Sequence, residues 1–137
     1  MIQAFIDSDV IIDLLTHREP HFHESAKIIQ HCQDGKIELC TSPLAVANVH
    51  YIVRKSKGED KTREVLKKIL SIIKLTVFDS EIVHYALNSD MRDFEDAMQA
   101  KSAEPYNCEF IITRNIKDYK LSNIEAKTPA EINSIIA

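Results

Sequence analysis

Apolar and polar positions alternate along the chain in two periods, and the change from one to the other recurs. Residues 2–6 form an apolar run short enough for a buried strand, and an acidic step follows at Asp7-Ser8-Asp9. The spacing then predicts a short helix over 10–15 with Asp13 on its outer face, which leaves Asp7 at the strand-to-helix junction, where free helix N–H groups favour a carboxylate. After a polar loop at Pro20, Phe22, Ala26, Ile29 and Cys32 mark a helix over 21–34 that Gly35 stops. Residues 37–40 alternate as a half-buried strand does. Ser42 with Pro43 then opens a helix to about residue 57, with Leu44, Ala47, Tyr51 and Arg54 along one side, and Gly58 ends it.

Residues 59–73 predict an amphipathic helix with Val65, Leu66, Ile69, Leu70 and Ile73 facing inward, and 75–78 a third strand. Asp79-Ser80 caps a helix through Asn88, and Asp93 begins another that passes through Glu95, Asp96, Ala97 and Ala100. Residues 110–113 form a strong strand signal that ends in Arg114-Asn115, with Asp118 close behind. A short strand over 124–126 and a terminal helix opened by Thr128-Pro129 complete the chain. Strands alternating with helices imply an α/β fold, a three-layer α/β/α arrangement around a central parallel sheet.

The length of 137 residues and 45% hydrophobic content predict a single domain spanning 1–137 with a sizeable core. A formal charge of −4 is not that of a basic nucleic-acid binder, although metal-holding carboxylates contribute to the negative total without preventing a local basic surface. Cys32, Cys40 and Cys108 are widely spaced and form no Cys-x-x-Cys pattern, which suggests reduced thiols in a cytoplasmic protein. Asp7, Asp9 and Asp13 break every N-terminal apolar run, so neither a signal peptide nor a membrane span is expected.

Three polar clusters fall where a parallel sheet gathers its loops: Asp7 with Asp9, Asp93 with Asp96, and Asn115 with Asp118. Asp93 and Asp96 are three apart and share a helix face. Crowded carboxylates raise the cost of ionising one another, and a divalent cation relieves that cost. An oxygen-only donor set suits Mg²⁺ or Mn²⁺, whereas each aspartate taken singly also serves as a plain helix cap.

In this order the residues resemble the PIN-domain family, which includes the VapC-type toxin ribonucleases. Phe5-Ile6-Asp7-Ser8-Asp9-Val10-Ile11-Ile12-Asp13 is similar to its first motif, with Asp9 in place of the usual Asn; Asp96-Ala97-Met98-Gln99-Ala100 is similar to the third; and Ile111-Ile112-Thr113-Arg114-Asn115-Ile116-Lys117-Asp118-Tyr119 to the fourth. The resemblance spans almost the whole chain. It implies a metal-dependent endoribonuclease, the toxin of a type II toxin–antitoxin pair, with Asp7, Asp96 and Asp118 catalytic. Those three and Asp93 would hold Mg²⁺ or Mn²⁺, Ser8, Asp9, Asn48, Thr113 and Asn115 would support the site, and Arg114 and Lys117 would meet RNA. A small antitoxin protein and a homodimer are the implied partners, with no membrane.

One departure concerns the second motif, where Asn48 stands in place of a Glu and brings no charge, a deficit that Asp9 or Asp93 could make up. The alternative it leaves open is a degenerate site on a non-catalytic RNA- or protein-binding module. A phosphoryl-transfer domain of haloacid-dehalogenase or response-regulator type would share the Asp7-x-Asp9 step, but this chain lacks the lysine context such a domain needs, and the fourth motif would go unexplained. The histidines are expected to be solvated or half-buried, Tyr51 to pack in the core, and Arg54, Lys55, Lys57, Lys61, Arg63, Lys67 and Lys68 to form a solvated face rather than an RNA-facing strip.

Overall fold

The hydrophobic strand at the start of the chain becomes the middle of a sheet. In the computed structural model, which describes residues 1–137, β1 (Ile2–Ile6) is flanked by β2 (Ile37–Thr41) and β4 (Phe110–Ile112), and the outer places go to β3 (Lys74–Leu75) and β5 (Glu125–Lys127). The order is β3-β2-β1-β4-β5, and all four pairings are parallel. Phe5 lies opposite Cys40 on one side and Ile111 on the other. A central parallel strand is buried on both faces, so Ala4, Phe5 and Ile6 are all apolar and inaccessible.

The two-residue period of β1 sends Ala4 and Ile6 into one core and Phe5 into the other. The first core is closed by α1 (Ser8–Leu15), α2 (Phe22–Gln33), α3 (Pro43–Lys57), α4 (Glu59–Leu70) and α7 (Pro129–Ile136), which supply Val10, Ile28, Val49, Leu66 and Ile132. The second is closed by α6 (Phe94–Ala103), whose Ala100 and Ala103 pack against Phe5 and Tyr119. Between α6 and α5 (Ser80–Leu87), Ile82, Ala86, Ala97 and Met98 form a smaller third cluster. No helix is long and apolar enough to cross a membrane.

Local chemistry sets the helix starts. Ser42, Asp79, Asp93 and Thr128 each accept a hydrogen bond from the N–H three residues on, and Thr128 with Glu131 forms a reciprocal capping box. Gly58, at φ 83°, turns the chain between α3 and α4 in a conformation that a side chain would disfavour.

Several expectations are corrected by tertiary packing. Asp13 is not on an outer face but fully buried, because α2 and α3 both pack on α1 and Arg114 reaches over to meet it. The buried stripe of α3 is Ala45, Val49 and Val53, and Tyr51 lies outside the core with Lys55 Nζ 4.4 Å from its ring centre. The competing stripe ends in Arg54, whose charge keeps it at the surface. The third strand is only Lys74–Leu75: Thr76 N–H still pairs with the Thr41 carbonyl, but Val77 N–H turns to the Tyr106 hydroxyl. Helix α4 stops at Leu70, although Ile73 is buried as expected.

Candidate metal and phosphodiester site

The C-terminal ends of β1 and β4 lie side by side, and the residues that follow them meet. Asp7 is the N-cap of α1 and is almost inaccessible, so each of its carboxylate oxygens needs protein donors. Oδ1 accepts from Ser8 N–H at 2.7 Å and from Gln99 Nε2 at 3.2 Å; Oδ2 accepts from the Thr113 hydroxyl at 2.9 Å and the Tyr119 hydroxyl at 3.2 Å. Four donors from four elements therefore fix one carboxylate.

Asp96, half-buried in the first turn of α6, is joined to Asp7 through the same donors. Its Oδ1 lies 3.1 Å from the Tyr119 hydroxyl and 3.5 Å from Gln99 Nε2. A phenol has one proton, so Tyr119 can donate to only one carboxylate at a time, and Gln99 Nε2, 3.3 Å away, can donate to its oxygen. Burial first, then the charges of Asp7, Asp93 and Asp118, push the Asp96 carboxyl up to about 7, against the hydrogen bond from Tyr119. Burial and the same two carboxylates hold the Tyr119 phenol protonated.

Asp9 completes the rim. Its Oδ2 accepts from Arg114 N–H at 3.0 Å and Asn115 Nδ2 at 3.4 Å, while Oδ1 is buried with no partner. Burial and Asp7 push this carboxyl up to about 6, against the Arg114 N–H. Asp93 is exposed and caps α6 through Asp96 N–H at 2.9 Å. Asp118, also exposed, sits in the 3-10 turn Ile116–Tyr119, close enough for its charge to act on Asp96. Lys117 is exposed on the same turn, whereas the guanidinium of Arg114 is engaged with Asp13. From α3 it is the cap Ser42 that reaches the cluster, donating to Gln99 Oε1 at 3.1 Å; Asn48 lies farther along the helix, half-buried.

Three contributors go beyond the residues singled out in the sequence. Gln99 and Tyr119 bridge the two central carboxylates, and Asp13 anchors Arg114 beside Asp9. Gln99, Tyr119 and Asp13 all lie within the quoted motifs, but the sequence shows none of their partners, which for Asp13 lies 101 residues away.

The donors suit a hard divalent cation in kind: all are oxygens, the carboxylates crowd one another, and Asp9 keeps one buried oxygen unpartnered. No three of them yet converge on one point at ligand distance. Closing such a site would take movement of the exposed Asp93 and Asp118 side chains rather than of Asp7.

Comparison with known proteins places the chain among relatives of this architecture. The family profile described as PIN domain matches residues 3–117. Ribonuclease VapC1 of Aquifex aeolicus is 25% identical over 134 residues, covering 94% of this chain and 92% of that protein. Among solved structures, VapC20 of Mycobacterium tuberculosis, described as a sarcin-ricin-loop-cleaving toxin, superposes with a TM-score of 0.69 at 10% identity, covering 89% of this chain and 97% of its own. A toxin–antitoxin complex from Klebsiella pneumoniae gives 0.67 at 23% identity, with coverage of 92% and 97%. At these identities the structural likeness concerns the fold.

Proposed function

The chain belongs to the PIN domain family, and from that premise we propose that it is a Mg²⁺- or Mn²⁺-dependent endoribonuclease that hydrolyses RNA phosphodiesters, the toxin of a type II toxin–antitoxin pair. The observation that carries the proposal is the shared environment of Asp7 and Asp96, two carboxylates tied to the same phenol and the same amide at the C-terminal edge of the sheet. A lone cap needs no such second carboxylate. The similarity to ribonuclease VapC1 supports RNA as the substrate, and the Klebsiella pneumoniae complex supports a small antitoxin as partner. A homodimer is part of the same proposal.

Asp7, Asp96 and Asp118, with Asp93, would hold the cation, and Asp9 would add a charge that Asn48 does not bring. The bound cation would supply a water of lowered pKa and positive charge beside the phosphate. The chain's own part is positional. Asp7 cannot swing, because four donors hold it; Asp96, whose carboxyl is raised to about 7 in the metal-free chain, would give up its proton on taking the cation. Ser8 and Thr113 fix Asp7, Asn115 fixes Asp9, and Lys117 is free to meet a phosphate.

The test is cleavage of a mixed RNA pool by purified protein in excess Mn²⁺. Wild type is expected to cleave it, and Asp7→Asn and Asp96→Asn to be inactive while keeping a cooperative melt. Wild type that is no faster than the variant carrying both Asp7→Asn and Asp96→Asn would refute the enzyme. A second reading, a non-catalytic PIN module, is favoured by the uncharged Asn48 and by the lack of three converged ligands. It predicts no heat on calorimetric titration with Mn²⁺, whereas the enzyme predicts Asp7-dependent binding.

A further inference from the structure

All three cysteines are free thiols, but their surroundings differ. Cys32 on α2 turns its thiol to the Ile72 carbonyl. The other two face each other: Cys40 Sγ of β2 lies 3.4 Å from Cys108 Sγ, in the segment that leads into β4, although 68 residues separate them. At that distance the sulfurs touch and nothing lies between them. The meeting is imposed by the fold. Cys40 is buried and in register with Phe5 of β1, and Glu109 N–H donates to the Gln3 carbonyl of the same strand, so β1 holds both neighbours in place.

The chemistry of the two sulfurs is unequal. Cys108 is half-buried, and the hydrogen bond from Cys40 lowers its thiol from the ordinary value, while the same bond and burial push Cys40 up. A cavity of about 130 Å³ lies beside the pair, lined by Gln3, Glu38, Lys74 and Tyr106 together with both cysteines. Its size admits a small oxidant, and of the two sulfurs it is the half-buried Cys108 rather than the buried Cys40 that such a molecule reaches first. A disulfide needs its sulfurs about 2.05 Å apart, so closure from 3.4 Å asks for a further approach of about 1.3 Å. Cys108 can supply it, since the chain enters β4 there from a turn whose Asn107 has φ 57° and is not yet paired in the sheet.

We propose that Cys40 and Cys108 form a reversible disulfide site driven by a small hydroperoxide. The Cys108 thiolate attacks the peroxide oxygen; the O–O bond breaks, and the leaving oxygen takes a proton to depart as water or an alcohol. The Cys108 sulfenic acid is then attacked by Cys40 sulfur, which forms the S–S bond and expels hydroxide that leaves as water with the Cys40 proton. Two thiols and one hydroperoxide thus give one disulfide, one water, and a second water or an alcohol. The bond ties β2, at the register of Phe5, to the segment that enters β4, on the face of the sheet where Phe5 packs, and neither sulfur is among the partners of Asp7. It therefore constrains the fold without covering the carboxylates, and a thiol reductant restores the open pair.

The test uses the full chain, reduced, freed of reductant and treated with a small excess of hydrogen peroxide. Non-reducing peptide mapping is expected to find Cys40 joined to Cys108 with the loss of two hydrogens and Cys32 still alkylatable. The thermal midpoint is expected to rise on oxidation and to fall back with dithiothreitol. In Cys40→Ser, Cys108 is expected to stop at a sulfenic acid that dimedone traps. Phenylarsine oxide probes the reduced wild type without any substitution: it bridges two adjacent thiols, and one equivalent is expected to bind. Cys40 and Cys108 that both stay alkylatable after peroxide, cross-links that run through Cys32, or failure to bind the arsenical would overturn the proposal.

Discussion

Removing the guanidinium of Arg114 is expected to cost far more stability than neutralising the carboxylate it pairs with. The two side chains meet through Nε to Oδ2 at 2.6 Å and Nη2 to Oδ1 at 3.2 Å. Their exposures differ: 28% for the Arg114 side chain and 1% for that of Asp13. In Arg114→Ala the backbone N–H still bonds Asp9, so the loss is confined to the guanidinium, and Asp13 is left charged in a dry site. Stranding one member of a buried pair costs about 3–5 kcal/mol. In Asp13→Asn the stranded group is Arg114, which can turn toward water, and the cost falls to about 1–2 kcal/mol. For a chain of this size 1 kcal/mol moves the melting midpoint by roughly 3–5 °C, so Arg114→Ala should melt roughly 9–25 °C below wild type. Urea unfolding with linear extrapolation measures both variants. A double change to apolar side chains of similar volume should recover much of the loss, because it leaves no charge unpaired. If Asp13→Asn proves as costly as Arg114→Ala, or if both cost under about 1 kcal/mol, the buried-pair reasoning fails.

Two further outcomes follow from the carboxylate cluster. Gln99→Leu keeps the volume but removes the donor to Asp7 and the acceptor for Ser42, so it should lose about 2–3 kcal/mol in urea unfolding and weaken Mn²⁺ binding in calorimetry; an unchanged urea midpoint would count against the bridging role. The Asp96 and Asp9 carboxyls are raised from 3.8 to about 7 and about 6, so between pH 4 and 7 the folded chain binds more protons than the unfolded one. Their contribution to metal-free stability therefore grows as the pH is lowered from 8 toward 5, and the difference between wild type and Asp96→Asn should grow with it. Mn²⁺ competes with those protons, so its affinity should fall over the same interval. A wild-type advantage that shrinks on acidification would contradict the raised carboxyls.

The parts of the fold that could be read from the sequence are those set by neighbours along the chain. Ser42 with Pro43, Asp79, Asp93 and Thr128 with Pro129 start helices because a cap reaches an N–H three residues away, whatever the rest of the molecule does. The apolar run of β1 needs burial on both faces and so takes the centre of a parallel sheet. The misjudged features depend on distant partners. Helix α3 has two stripes of plausible apolar character, and only the packing of α4 and α1 against it selects Ala45, Val49 and Val53. Strand β3 is cut short at Leu75 because the Tyr106 hydroxyl, 29 residues on, takes the N–H of Val77.

The same division runs through the site. Asp7 and Asp96 were visible because each stands where a regular element begins, and a parallel sheet gathers such positions at one edge. What joins them was hidden, since a glutamine on a helix is ordinarily taken as solvated. The decisive neighbours of Gln99 are small ones. Ala100 and Ala103 let α6 settle closely on Phe5, and the long amide of Gln99, just before them, then spans the remaining gap to Asp7 while Ser42 holds its carbonyl. A larger residue at 100 or 103 would lift the helix and draw the amide away from Asp7 with no change at a carboxylate. The acids mark where the chemistry would occur, but the small residues behind them set whether the two carboxylates share their donors.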